Sequence, residues 1–167
     1  HIKYDRPDKI KKTNIWSTYI YHTGIPAVKR MKIGTLGDLE TRRGTALLRV
    51  DFNSPIDPSS NIILDDKRFR EHLPTINALE DAKCVIVTHQ SRPQKKDFTT
   101  LEAHADKLSR LLGRTVTYID DIFGKCARDA VKMMDFGDVV MLENVRFSSE
   151  EVLKMSGEDA SGTHIVR

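Results

Sequence analysis

Four short apolar segments divide the chain and have the length and residue content of β-strands. They are rich in leucine, valine or isoleucine, and the residues that bound them include glycine, proline, aspartate and serine, which favour turns. The run KCVIVT is apolar on both faces, as expected for a central strand of a parallel sheet that is covered on both sides. The predicted strands are residues 45–53, 83–88, 115–119 and 138–143.

The segment after the first strand has the apolar spacing of a helix. Asp65 and Asp66 precede it and are candidate N-caps, because aspartate accepts hydrogen bonds from the free N–H groups of a first helical turn. Pro74 lies inside the pattern and predicts a kinked helix or a pair of helices. The apolar positions that recur at helical spacing are Phe69, Leu73, Ile76 and Leu79.

Two further helices are predicted between the later strands. Thr99 and Glu102 have the spacing of a capping box, and Gly113 follows the last apolar position of that helix, where glycine commonly ends a helix. The next helix runs from about Phe123 to Met134. The predicted buried residues are Leu101, Leu108 and Leu111 or Leu112 in the former, and Ala127, Ala130, Val131 and Met134 in the latter.

Strands and helices therefore alternate in the order β-α-β-α-β-α-β. This alternation builds a parallel sheet with right-handed crossovers and helices on both faces. The predicted fold class is α/β, with three αβα layers around a mostly parallel, Rossmann-like sheet. Residues 148–167 begin helical segments that end without a cap, glycine or proline, and we interpret the chain as incomplete.

Composition and length fit one soluble globular domain, since the 167 residues are 39% hydrophobic and 31% charged. No apolar run approaches the roughly 18 residues that cross a bilayer, and the start does not have the pattern of a secretion signal. We therefore expect a cytoplasmic protein with no membrane partner. Cys84 and Cys126 lack the spacing of a metal site or a disulfide framework, and both are predicted to be small core residues.

The positive charge is concentrated at the start of the chain. Residues 1–30 hold seven lysines and arginines against two aspartates, whereas the remaining residues carry 20 basic and 22 acidic groups. A basic field over the body of the protein is therefore missing, and nucleic acid is not an expected partner. We interpret residues 1–30 as an extension of unknown role and residues 31–167 as the α/β domain; a basic membrane-surface or nucleic-acid arm is the competing interpretation.

Groups suited to binding a small anion lie at three of the four predicted strand ends. Asp51 and Asn53 lie at the end of the first predicted strand, His89 and Arg92 follow the second, and Arg146 follows the fourth. The carboxyl ends of parallel strands meet at one edge, where ligands of open α/β sheets bind. Asp51 and Asn53 share a face and can hold hydroxyl groups. The arginines, with Arg68 of the neighbouring helix, can bind phosphate or carboxylate oxygens as planar forks. Any one of these residues alone is more often structural, so the joint placement carries the interpretation.

Other motifs are weak or missing. Asp120 and Asp121 follow the third strand and are interpreted as caps of the next helix, because a phospho-acceptor site of the receiver type needs its acidic pair after the first strand. The chain has no GxGxxG after the first strand and no GxxxxGK[ST] anywhere. A dinucleotide fingerprint and a Walker phosphate loop are therefore not encoded, and a nucleotide-binding Rossmann domain ranks last among the alternatives.

Taken together, four motifs in order resemble the phosphoglycerate kinase family, specifically its N-terminal, 3-phosphoglycerate-binding lobe. They are RVDFN (49–53), DDKRFR with LPTI downstream (65–76), HQSRP (89–93) in place of the family's His-Leu-Gly-Arg-Pro, and LENVRF (142–147). The resemblance extends over about residues 35–147. It implies an incomplete N-lobe fold of this family type.

The resemblance also implies an activity, which is reversible phosphoryl transfer between 1,3-bisphosphoglycerate and Mg-ADP, giving 3-phosphoglycerate and Mg-ATP. In such enzymes Arg68 lies closest to the transferred phosphoryl group and is the implied catalytic residue. Positioning and charge neutralisation dominate this chemistry. The implied substrate-binding residues are Asp51, Asn53, Arg68, His89, Arg92 and Arg146.

Two departures from the family pattern limit what the resemblance implies. Gln90 and Ser91 replace Leu-Gly, and serine adopts a positive φ less readily than glycine. The family's later Asn-Asp-Ala-Phe segment, its interdomain helix and its nucleotide lobe would lie beyond Arg167. We therefore expect half of an active site. It should bind 3-phosphoglycerate weakly, hold no metal or cofactor and show no turnover alone, within a full enzyme that is monomeric. The rival is a non-catalytic α/β module that binds an anionic metabolite or a protein partner.

Overall fold

The computed structural model describes residues 20–21, 36 and 44–153 of the chain. The strands are β1 (Ile20–Tyr21), β2 (Thr45–Arg49), β3 (Lys83–Val87), β4 (Val116–Ile119) and β5 (Val139–Leu142). The helices are α1 (Lys67–Asn77), α2 (Glu102–Leu112), α3 (Lys125–Met133) and α4 (Ser149–Val152), with a short 3₁₀ helix at Val145–Phe147 before α4. No helix within these described residues is both long enough and apolar enough to cross a membrane.

The five strands form one sheet in the order β1-β2-β3-β5-β4. Strands β2, β3, β5 and β4 are parallel, and β1 pairs antiparallel with β2. The predicted α/β class, the strand and helix order from residue 45 to 142 and the mostly parallel sheet are confirmed. The sequence pattern did not predict β1, and the remaining statements about residues 1–30 fall outside the described residues.

The handedness of the connections decides which face each helix covers. The chain passes from β2 through α1 to β3 and continues in the same direction through α2 to β4, the far edge strand. It then reverses through α3 to reach β5. Because parallel crossovers are right-handed, the reversal places α3 on the opposite face from α1 and α2. The predicted three-layer arrangement follows from this reversal.

The two faces have separate apolar cores. On the larger side, Leu48, Ile86 and Met141 of the strands are fully buried together with residues of α1 and α2. The rings of Phe52 and Phe69 stack there with their centroids 4.3 Å apart. On the other side the core is smaller and packs strand residues against α3. Its buried members are Val85, Val140, Leu142, Ala127 and Met134.

Helix α1 corrects one prediction about Pro74. It is a single helix that contains Pro74, so the predicted alternative of a helix pair is wrong. The two predicted N-cap residues have different partners at the start of this helix. Asp65 accepts a hydrogen bond from the Lys67 N–H at 2.8 Å, whereas Asp66 forms an i,i+4 ion pair with Arg70 at 2.9 Å. Asp65 therefore satisfies a free N–H of the first turn, and Asp66 stabilises the exposed side of the first turn through its ion pair.

The predicted capping box of α2 is not formed. Leu101 occupies the N-cap, and no side chain caps the helix locally. Instead the Leu101 N–H donates to the Glu143 carboxylate at 3.0 Å, and the Thr99 carbonyl accepts from the Asn144 amide at 2.9 Å. A distant strand end thus supplies the partners. Gly113 does end the helix, in the left-handed conformation with φ 69° that glycine adopts at little cost.

Helix α3 begins on the carboxylate of Asp121. Its two oxygens accept the N–H groups of Gly124 and Ala127 at 2.8 and 2.9 Å. A Cβ at position 124 would lie 2.5 Å from that carboxylate, which explains the glycine. Asp120 has no such role, so the predicted pair of caps reduces to one residue. Cys126, on the same helix, is exposed, and the prediction that both cysteines are core residues holds only for Cys84.

We predict that Leu48→Ala destabilises the fold by about 2–5 kcal/mol, because it leaves a cavity in a fully buried position. Met133→Ala is the matched control, since Met133 is 83% exposed. Its change should stay within about 0.5 kcal/mol. Urea denaturation followed by circular dichroism measures both free energies of unfolding. Equal losses in the two variants would contradict the assigned core.

Candidate anion-binding site

The candidate site lies where β2, β3 and β5 end. These strands are neighbours in the sheet, so the loops that follow them meet at one edge although they lie far apart in the sequence. The first turn of α1 starts at the same edge because it follows the loop after β2. Through these four segments the structure brings the six predicted residues to one region, and we call it the basic cluster: Asp51, Asn53, Arg68, His89, Arg92 and Arg146.

Asp51 links the first loop to helix α1. Its carboxylate forms an ion pair with Arg68 and accepts the N–H of Asn53 at 3.1 Å, which shapes the turn after β2. Its own N–H donates to Nε2 of His72 at 3.3 Å, so that ring nitrogen carries no proton. Burial lowers the pKa of His72, although the nearby Asp51 carboxylate opposes the shift. Asp51 therefore fixes Arg68 at the edge of the sheet.

His89 is half-buried between groups of both charges. Burial lowers its pKa, the positive charges of Arg146 and Arg49 act in the same direction, and the carboxylate of Asp51 opposes them. An imidazole in this environment is neutral near pH 7. His89 therefore offers the site one hydrogen-bond donor and one acceptor, and it adds no further positive charge.

Arg146 shows most clearly that positively charged side chains lie close together in the basic cluster. Its guanidinium donates to the carbonyl of Ser91, the residue two positions after His89. Partial burial lowers the pKa of Arg146, and the guanidinium of Arg92 lowers it further. The carboxylate of Asp51 opposes this lowering of the pKa, so charged groups from all three loops lie near Arg146. The exposed side chain of Arg92 completes the positive field at this edge.

Two buried side-chain amides hold the three loops together, and both are fully buried. Gln90 accepts the Ser54 N–H at 3.2 Å and donates to the Ser54 carbonyl at 3.0 Å, which joins the loops after β2 and β3. Asn144 donates to the Gln90 carbonyl at 3.0 Å and accepts the Arg146 N–H at 3.2 Å. The amide of Asn144 thereby joins the loops after β3 and β5 and shapes the turn that presents Arg146.

Sequence reasoning missed two groups beside the site. Arg49 forms an ion pair with Glu151 and contributes to the field at His89 and Arg146. It has the same strand parity as Asp51, and that alternation could have pointed to it. Glu151 lies about a hundred residues away in the sequence, and no sequence signal connects the two residues.

His104 was also missed, because in the sequence it is one polar residue at a buried position of an amphipathic helix and nothing there points to a role at the site. It is fully buried, its ring lies 5.7 Å from that of Phe69, and its Nε2 lies 3.1 Å from the Gln90 amide oxygen. Since that oxygen is an acceptor, Nε2 donates. Burial lowers the pKa of His104 to about 4. The ring therefore supports the site as a neutral donor beneath Gln90.

The predicted acidic pair lies apart from this cluster. Asp120 and Asp121 follow β4, the edge strand, and β5 separates them from the ends of β2 and β3. Asp121 is engaged at the start of α3. Burial favours its protonated form, but hydrogen bonds from backbone N–H groups outweigh burial and lower its pKa. Among residues 44–153 and the other described positions, no group of three or more potential ligands could hold a metal ion.

The fold and site together define an α/β protein with cationic and hydrogen-bonding side chains clustered at the carboxyl edge of its sheet. A family model described as phosphoglycerate kinase matches residues 36–164. The chain belongs to the phosphoglycerate kinase family, which confirms the resemblance seen in the four motifs.

Individual relatives agree with the family match. The chain is 68% identical over 137 residues to a phosphoglycerate kinase of Methanocorpusculum labreanum, covering 82% of this chain and 34% of that relative. It is 51% identical over 138 residues to one of Methanothermobacter thermautotrophicus, covering 81% and 34%. The crystal structure of phosphoglycerate kinase from Pyrococcus horikoshii OT3 matches with a TM-score of 0.75 and 46% identity, covering 78% of this chain and 32% of that one. The chain thus spans about a third of the relatives it matches.

We predict that His104 makes stability fall as the pH drops below about 6.5. The unfolded chain takes up the proton near that pH, whereas the folded ring resists it until about pH 4, so protonation favours unfolding. Between pH 7 and pH 5 this contributes a loss of about 2 kcal/mol. Urea denaturation at both pH values, for the wild type and His104→Gln, measures the difference. An equally steep loss in the variant would show that His104 is not responsible.

Proposed function

We propose that this chain forms the acid-substrate side of a phosphoglycerate kinase and binds 3-phosphoglycerate and 1,3-bisphosphoglycerate at the basic cluster. The observation that carries the proposal is the convergence of guanidinium groups around Arg146. Arg92 and Arg49 both disfavour the charged form of Arg146, so the cluster repels itself. A bound anion would relieve this repulsion.

The chemistry of the cluster suits a small phosphorylated hydroxy acid better than a simple anion. Arginines bind phosphate and carboxylate oxygens through two parallel hydrogen bonds. The carboxylate of Asp51 and the amide of Asn53 add hydroxyl-binding groups, and neutral His89 adds one donor and one acceptor. This combination recognises a three-carbon acid that carries a phosphate, a carboxylate and a hydroxyl group.

In the proposed reaction this chain supplies positioning and positive charge. Phosphoryl transfer has little covalent chemistry for a protein to perform, and the charge on the transferred oxygens is neutralised by fixed cations. By family resemblance we assign Arg68 to the transferred phosphoryl group. In the structure Arg68 is paired with Asp51, so the carboxylate holds the guanidinium at the edge before substrate arrives.

The nucleotide side of the reaction needs other residues. The family uses Mg-ADP and Mg-ATP, and the described residues do not fit a metal site, as stated above. We therefore assign the nucleotide and its magnesium to parts of the full-length protein other than residues 44–153. We place the reaction in cytoplasmic glycolysis and gluconeogenesis, with a monomeric full-length enzyme.

We predict that the chain binds 3-phosphoglycerate in isothermal titration calorimetry at low ionic strength. Arg146→Ala and Arg68→Ala should each weaken the affinity by about tenfold or more, because each removes a charged donor. Arg110→Ala is the control, since Arg110 lies in the last turn of α2, at the opposite edge of the sheet, and removes the same charge. It should leave the affinity unchanged.

Added salt should weaken the binding, because ions screen the exposed part of the cluster. Equal affinities for the wild type, Arg146→Ala and Arg68→Ala would reject the basic cluster as the binding site. A similar loss in Arg110→Ala would show that net charge, and not the cluster, attracts the ligand.

We also predict that the isolated chain forms no ATP from 1,3-bisphosphoglycerate and Mg-ADP, because the nucleotide groups are assigned elsewhere. A coupled assay with luciferase detects ATP directly. A full-length phosphoglycerate kinase in the same assay is the positive control. ATP formation above the uncatalysed rate by this chain would overturn the division of the site.

A further inference from the structure

The loop after β3 contains a serine in a conformation that normally favours glycine. Ser91 has φ 55°, in the left-handed region that side chains with a Cβ rarely adopt. A residue held there needs interactions that outweigh the conformational cost. The structure shows three such interactions, one from each polar group of Ser91.

Both backbone groups of Ser91 contact residues of the basic cluster. Its N–H donates to the amide oxygen of Asn53 at 2.8 Å, and its carbonyl accepts from the guanidinium of Arg146. These two groups can point to opposite neighbours only while the backbone keeps this φ. A change to negative φ would turn the peptide groups away and release both side chains.

The third interaction comes from the Ser91 side chain. Its hydroxyl donates to one carboxylate oxygen of Asp97 at 2.6 Å, and the other oxygen lies 3.4 Å from the Gln90 amide nitrogen. Ser91 is buried and Asp97 is partly buried, so water competes less for this hydrogen bond to a carboxylate than it would at an exposed position. Hydrogen bonds of this kind are about twice as strong as neutral ones.

Two consecutive turns bring Asp97 back to Ser91. The Lys95 N–H donates to the Arg92 carbonyl at 3.1 Å, and the Phe98 N–H donates to the Lys95 carbonyl at 3.2 Å. Pro93 and Gln94, with φ 71°, occupy the centre of the first turn, as in a type II turn. The loop is then fastened by Phe98, whose ring packs edge-on against Phe147 with centroids 4.9 Å apart.

We infer that the Ser91–Asp97 hydrogen bond holds the loop after β3 in the conformation that positions Asn53 and Arg146 for the acid substrate. Ser91 and Asp97 are positioning residues, since they act through the two side chains and have no assigned contact with substrate. The inference rests on the proposed function for its effect on binding. Its effect on the loop is independent of any ligand.

The experiment first removes the Ser91–Asp97 hydrogen bond and then replaces Ser91 by glycine, which adopts the positive φ without that bond. Asp97→Ala should speed amide hydrogen exchange at residue 91, measured by NMR, and weaken 3-phosphoglycerate binding about tenfold in calorimetry. In the Asp97→Ala chain, Ser91→Gly should restore both quantities, because glycine adopts the positive φ unaided. Ser91→Ala in the same chain should restore neither.

Two controls separate this role from general stability. Asp106→Ala removes an exposed carboxylate from α2 and should change neither quantity. Asp97→Asn keeps an acceptor oxygen without the charge and should fall between the wild type and Asp97→Ala in both quantities. It also covers the case in which Asp97→Ala does not fold.

The outcomes distinguish the two proposals. Unchanged exchange at residue 91 in Asp97→Ala, or failure of Ser91→Gly to restore it, would overturn the positioning role. A wild-type chain that does not bind 3-phosphoglycerate, with exchange at residue 91 behaving as expected, would reject the proposed function and leave the loop mechanism supported. Restored exchange without restored affinity would overturn the claim that this conformation serves binding.

Discussion

The candidate site depends on the requirement that buried amides find partners. Gln90 and Asn144 are fully buried where three strands end, and an unpaired amide in that position would be strongly unfavourable. Their hydrogen bonds run to Ser54, to each other and to Arg146, so satisfying the amides also fixes the relative positions of the loops. His104 and Glu143 extend the same set of contacts to helix α2. The buried side chains of Gln90, Asn144, His104 and Glu143 thus form a polar frame that holds the loops carrying the exposed charges.

That frame allows like charges to be held close together. A surface with scattered arginines would let each guanidinium move away from the others, whereas here Arg146 is held by the Ser91 carbonyl and Arg68 by the Asp51 carboxylate. Arg92 and Arg49 disfavour the positive charge of Arg146, and in the proposed function a bound anion relieves this repulsion. The weakly negative charge of residues 31–167 as a whole has no bearing on this local field, because distant exposed charges are screened by salt.

Much of the fold could be predicted because local patterns and the final structure agree. The four parallel strands and three main helices lie where apolar spacing placed them, and Gly113 ends α2 as its conformational freedom predicts. Predictions failed where a distant group replaced a local one. The capping box at Thr99 is absent because Glu143 and Asn144, on the far side of the sequence, satisfy that helix start instead. Buried His104 and the partner of Arg49 were missed for the same reason.

By itself, the sequence determined the alternation of strands and helices and the identity of the residues at each strand end, since both are properties of neighbouring positions along the chain. The family motifs named the same six residues. Only the tertiary structure decided which strand ends are neighbours: the reversal after β4 inserts β5 beside β3 and brings Arg146 to Ser91, whose N–H contacts Asn53. Proximity across 55 residues depends on sheet order and crossover handedness, and no local pattern encodes the two contacts that meet at Ser91.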